Sequence, residues 1–100
     1  MDIPIACTLD TRDYAARVDA LSALAAEALR SREPTPRGER LVFAPDSERR
    51  LRDVIAAEAA CCPFLRLDLR RRRDALVLEI SGPEDARPVI AALFRRDPGP

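Results

Sequence analysis

Apolar residues recur at every second position in four stretches of the chain and at helical spacing in three others. Ile3, Ile5, Cys7 and Leu9 alternate with Pro4, Ala6 and Thr8, which predicts a first strand. Pro4 lies near its start, where a strand tolerates proline. Asp10 or Thr11 is placed to cap a following helix, with Asp13 in its first turn. Tyr14, Val18, Leu21, Leu24, Ala25, Ala28 and Leu29 line one face of that helix, through about residue 30. Ser31 to Gly38 contains Pro34, Pro36 and Gly38 and reads as a loop.

Arg40 to Ala44 is a short second strand with Leu41 and Phe43 on one side. Pro45-Asp46-Ser47-Glu48 opens a second helix, whose apolar stripe is Leu51, Val54, Ile55, Ala59 and Cys62. Glu58 falls within that stripe. Pro63 stops the helix, because it has no backbone N–H and disfavours helical geometry at Cys62. Leu65, Leu67 and Leu69 alternate with Arg66, Asp68 and Arg70 in a third strand with one solvated face. Arg71 to Asp74 makes a turn, and Ala75 to Ile80 returns as a fourth strand with Leu76, Leu78 and Ile80 inward. Gly82-Pro83-Glu84-Asp85 opens a third helix that Pro88 delays or kinks, with Val89, Ile90, Leu93 and Phe94 toward the sheet.

The order β-α-β-α-β-β-α predicts an α+β fold: a small mixed four-stranded sheet with helices mainly on one face. Strands one to three should be largely parallel with right-handed crossovers, and the last two should form a hairpin. A ferredoxin-like sandwich is the alternative. With 100 residues the chain is read as one domain, 1–100, with a frayed tail over 95–100.

Composition narrows the chemistry. Histidine, lysine, asparagine, glutamine and tryptophan are absent, and all 17 basic residues are arginine. This excludes Ser-His-Asp and Cys-His pairs, histidine-built zinc sites, P-loops and Schiff bases. Three glycines cannot build a phosphate cradle. The wealth of alanine, arginine and proline suits a GC-rich bacterial genome. A formal net charge of zero gives no reason to expect nucleic acid or membrane as partner. Met1-Asp2-Ile3-Pro4 lacks the basic and apolar regions of a signal peptide, and no segment reaches the roughly 20 apolar residues of a membrane span. The expectation is a soluble cytoplasmic protein with reduced thiols.

The candidate site is the run Glu58-Ala59-Ala60-Cys61-Cys62-Pro63-Phe64 at the end of the second helix. Residues three and four apart share a helical face, so Glu58 points the way of Cys61 and Cys62. Thiolates select soft cations. Cys7, on the inward side of the first strand, would add a third sulfur if that strand were central, with Glu58 as a fourth ligand or a group supporting the ligands. The competing reading is that cysteine packs as a small hydrophobe, which fits Cys7 taken alone. It fits the pair less well, since Cys61 and Cys62 point about 100° apart on a helix. An arginine such as Arg66 could instead hold Glu58 in an ion pair.

A nucleophilic role is disfavoured: a helix C-terminus and a carboxylate oppose thiolate formation, and no histidine serves as base. No catalytic residue is assigned. Arg70 to Arg73 read as a solvated turn, and Phe43, Phe64, Phe94 and Tyr14 as core.

The opening Ile5-Ala6-Cys7-Thr8-Leu9, the segment Glu58-x-x-Cys61-Cys62-Pro63-Phe64 followed by a hairpin, and the ending Ala92-Leu93-Phe94 resemble those of a group of short, uncharacterised bacterial proteins and domains. That group is associated with mercury and other metal-resistance contexts. The resemblance spans nearly the whole chain and implies that Cys7, Glu58, Cys61 and Cys62 belong to one site. One departure is that relatives tend to carry an aromatic where Leu65 or Leu67 stands. The leading expectation is therefore a protein that binds a soft metal or metalloid ion, such as Hg(II), Cu(I), Zn(II) or arsenic, for detoxification, sensing or handoff. The alternatives are a thiol redox sensor or thiol enzyme, and a structural domain, such as a homodimer, whose cysteines merely pack.

Overall fold

The computed structural model describes residues 11–95, with side chains described for residues 19–60 and 62–95. The strand expected over residues 3–9, and Cys7 with it, lies outside the described residues. So do the side chains of Tyr14 and Val18 and the tail beyond Arg95. The elements run α1 (Thr11–Ala28), β1 (Leu29–Thr35), β2 (Gly38–Phe43), α2 (Glu48–Cys61), β3 (Arg66–Arg72), β4 (Ala75–Ser81) and α3 (Arg87–Ala92). Single 3₁₀ turns, Pro45–Ser47 and Glu84–Ala86, lead into α2 and α3. Among the described residues no helix is long and apolar enough to cross a membrane.

The fold is α+β, as expected, but among the described residues its sheet is antiparallel throughout, with strand order β1-β2-β4-β3. This corrects the mixed sheet. Strands β2 and β3 do run in the same direction, on either side of α2, yet they never pair. The tight β3–β4 hairpin lays β4 between them, and β4 opposes both. Reading strands in order of succession misses such an insertion.

The second correction concerns Ser31 to Gly38. Residues Leu29–Thr35 form an edge strand, paired with β2 from Leu29↔Phe43 to Thr35↔Gly38. Pro34 is tolerated because an edge strand has one side free of partners. The register shifts between Leu29 and Ser31, so Arg30 bulges out and the alternation that marks a strand is lost. The strand begins directly at the end of α1, and Ala44 N–H donates to Ala28 C=O at 2.9 Å to hold that junction.

One face of the sheet carries Leu41, Phe43, Leu76, Leu78 and Ile80, all fully buried beneath the helices. Leu21, Leu24 and Ala25 of α1, Leu51 of α2 and Ile90 of α3 complete this core. The ring of Phe94 meets Phe43 edge-on, with centroids 5.3 Å apart. Within α2 the stripe is Leu51, Val54, Ile55, Glu58 and Cys62; Ala59, expected in it, is exposed. The opposite face is polar. Across it runs the row Glu33, Arg40, Glu79, Asp68, in which Arg40 bonds Glu33 at 2.9 Å and Glu79 at 3.0 Å. The hydrogen bond it donates to Glu79, then that to Glu33, raises the Arg40 guanidinium above its ordinary pKa.

Two contacts tie the outer elements to this frame. Arg32 on β1 donates from Nη1 to the carbonyls of Leu93 (3.2 Å) and Phe94 (3.1 Å), capping the end of α3, while its Nε meets Glu39 Oε1 at 2.7 Å. Phe94 there adopts a positive φ of 54°. Glu48, at the first turn of α2 where a carboxylate complements the helix dipole, pairs with both Arg52 and Arg71. The arginine run thus begins inside β3, and the turn is reduced to Arg73-Asp74.

Gly38 sits so close to β4 that an added Cβ would lie 1.8 Å from the carbonyl oxygen of Ile80. Gly38→Ala must therefore push β2 and β4 apart. It is expected to lower stability by about 2 kcal/mol or more, read as a shift of the urea midpoint. Arg32→Met keeps the side chain's apolar length but loses the cap on α3. We expect a loss of about 1–2 kcal/mol, with amide exchange accelerated first in α3.

Candidate functional site

The site is built by the way α2 ends. Leu51, Ile55, Glu58 and Cys62 succeed one another at intervals of four, three and four residues, so they share the core-facing side of the helix. Cys62 is the helix C-cap, with φ −125° and ψ 74°, outside helical space. The following Pro63 disfavours helical geometry at this residue. Its N–H still donates to the Glu58 carbonyl at 2.7 Å, and its own carbonyl accepts from Leu65 N–H at 3.0 Å. The chain thus reverses over Cys62-Pro63-Phe64-Leu65 into β3. Leu65 is buried against Gly82, where an added Cβ would come within 3.2 Å of it.

This local geometry sets a thiol beside a carboxylate inside the protein. The Cys62 Sγ donates to Glu58 Oε1 at 3.8 Å, with the two residues only 4% and 3% exposed. Both make further interactions besides this one. A buried carboxylate is costly unless hydrogen-bonded or matched by a cation, so Glu58 in the apolar stripe is a deliberate feature rather than a surface residue turned inward. Arg66, weighed as its ion-pair partner, is elsewhere: it is exposed on β3, 3.9 Å from Asp68.

Of the four sequence-predicted site residues, Glu58 and Cys62 are brought together. Cys61 is the last residue of α2, but its side chain lies outside what is described, and Cys7 lies outside the described residues altogether. Among the described residues no group of three or more potential metal ligands is assembled. The 3.8 Å separation of the two donors is that of a thiol–carboxylate hydrogen bond.

A helix C-terminus and a neighbouring carboxylate both disfavour the thiolate form that a nucleophilic cysteine needs. The one feature that sequence reading underrated is Leu65, whose burial against Gly82 locks the turn below Cys62; a leucine in an alternating strand gives no sign of that role. The chain matches no family model, no curated protein and no solved structure.

Proposed function

We propose that the protein binds a soft metal or metalloid ion through a cysteine–glutamate cluster centred on Cys62 and Glu58, with Cys61 and Cys7 as the remaining sulfur donors. The observation that supports this is the buried thiol–carboxylate pair, 3.8 Å apart. Thiolate sulfur favours Hg(II), Cu(I), Zn(II) and trivalent arsenic over hard cations. The carboxylate supplies a fourth donor or orients a sulfur, as groups beside metal ligands do. The role is detoxification, sensing or handoff of the ion within a bacterial cytoplasm.

The reading as a redox sensor or thiol enzyme draws on Cys61 and Cys62, but such a thiol must be open to its reactant, and Cys62 is 4% exposed. The packing reading, with or without a homodimer, has in its favour that Cys62 belongs to the hydrophobic cluster.

Native mass spectrometry of the reduced protein with one equivalent of Hg(II), Cu(I), Zn(II) or arsenite separates these readings. One ion should be retained against a competing small dithiol. Cys62→Ser should abolish retention, and Glu58→Gln should weaken it by about tenfold or more. Unchanged retention in Cys62→Ser and Cys61→Ser would sink the metal reading. A cysteine-free variant that keeps full stability, with no ion retained by the parent, would establish simple packing.

A further inference from the structure

Among the described residues β3 ends the sheet on the side away from β1, and its charge is one-sided. From Arg66 to Arg73 the chain carries five arginines and one aspartate, in a protein of zero formal net charge. The register puts Arg66, Asp68, Arg70 and Arg72 on the outer face and Leu67 and Leu69 on the face under the helices. Glu48 engages Arg71, and Arg66 has Asp68 at 3.9 Å. Among the described residues no carboxylate pairs with Arg70, Arg72 or Arg73. The bulged Arg30 adds a cation at the same end of the sheet, its Nη1 on the Asp74 carbonyl at 2.8 Å.

Charge on an edge strand can simply deter aggregation. Two observations point further. Among the described residues β3 pairs only with β4, leaving one row of its backbone groups open. Leu67 and Leu69, together with Val54, Ile55 and Phe64, remain half-buried at the margin of the core. An added strand would extend both the hydrogen-bond ladder and the apolar layer. Elsewhere on the outer face positive charge is already matched, as Arg40 is by Glu33 and Glu79.

We propose that the free edge of β3 takes up an extended acidic segment of another protein as an added strand. Acidic side chains of that segment face Arg66, Arg70 and Arg72, and its alternate apolar side chains lie beside Leu67 and Leu69. Main-chain bonds supply affinity in this mode, and alternating side chains supply specificity. Nucleic acid fits less well. Among the described residues the outer face has Val42 and Val77 at its centre and no aromatic on which a base could stack.

The test is fluorescence anisotropy of the full chain with a labelled peptide of roughly ten residues that alternates glutamate and leucine. Controls are the same peptide with proline at alternate positions, and an oligouridylate. The expected result is binding of the first peptide alone, weakened by salt, with amide shifts concentrated on β3. Arg70→Glu with Arg72→Glu should weaken it by about tenfold or more. Both residues are exposed, so the fold should survive. If it does not, Arg72→Gln decides through a reduced salt dependence. Absence of binding by the full chain overturns the proposal, whether the edge is filled by the chain itself or by a second copy. Equal binding of the proline peptide or the oligouridylate also overturns it, since bare charge attraction would then explain the arginines.

Discussion

The pairing of β2 with β4 is the contact on which the rest of this protein depends. Each of the two hairpins, β1–β2 and β3–β4, buries at most one face and would be marginal alone. Joined through six register pairs from Gly38↔Ser81 to Phe43↔Leu76, they make one four-stranded sheet. Only then do Leu41, Phe43, Leu76, Leu78 and Ile80 lie side by side as a surface broad enough for three helices to cover. The close approach at Gly38 shows how tightly the two strands meet. Because β2 and β4 are far apart in the chain, closing this pair carries a loop-entropy cost that the core beneath it must outweigh.

Helix α2 bridges the two hairpins, and its end makes the candidate site. The bridge requires the chain to leave the helix and turn at once into β3. Pro63 forces that exit, and the Cys62–Leu65 turn completes it. Cys62 is therefore held at the rim of the core by backbone geometry, not by its sulfur. Glu58, one turn earlier on the same face, is carried inside with it. The thiol–carboxylate pair is a consequence of where the helix must stop.

Charge follows the same division of faces. The helices and the inner sheet face leave little room for ionised groups, so arginines and acids collect on the outer face and along the edges. Several of them meet in exposed pairs, which contribute little to stability individually. Arg32, Glu48 and Arg50 tie helices into the fold: Arg32 closes α3 onto β1, Glu48 joins α2 to β3, and Arg50 joins α2 to α1. The arginine-rich strand β3 stands out against this balance.

Much of the architecture was legible in the residues. The stripe Leu21, Leu24, Ala25 and Ala28 foretold α1, and Leu76, Leu78 and Ile80 foretold the buried side of β4. Pro63 marked the end of α2, and the i, i+4 spacing put Glu58 beside Cys62. These are local facts, governed by the periods of helix and strand and by proline geometry. Strand β1 was not legible, because a bulge at Arg30 and two prolines erased its alternation, and it exists through pairing with β2. The insertion of β4 between β2 and β3, the exposure of Ala59 and the capping of α3 by Arg32 were likewise invisible. Each depends on which distant segment lies alongside, and that is settled only when the apolar faces close on one another. By itself the sequence determined where the helices and most strands lie and set Glu58 on the side of Cys61 and Cys62. Tertiary structure decided strand order, direction and the burial of that pair, because those follow from non-local packing.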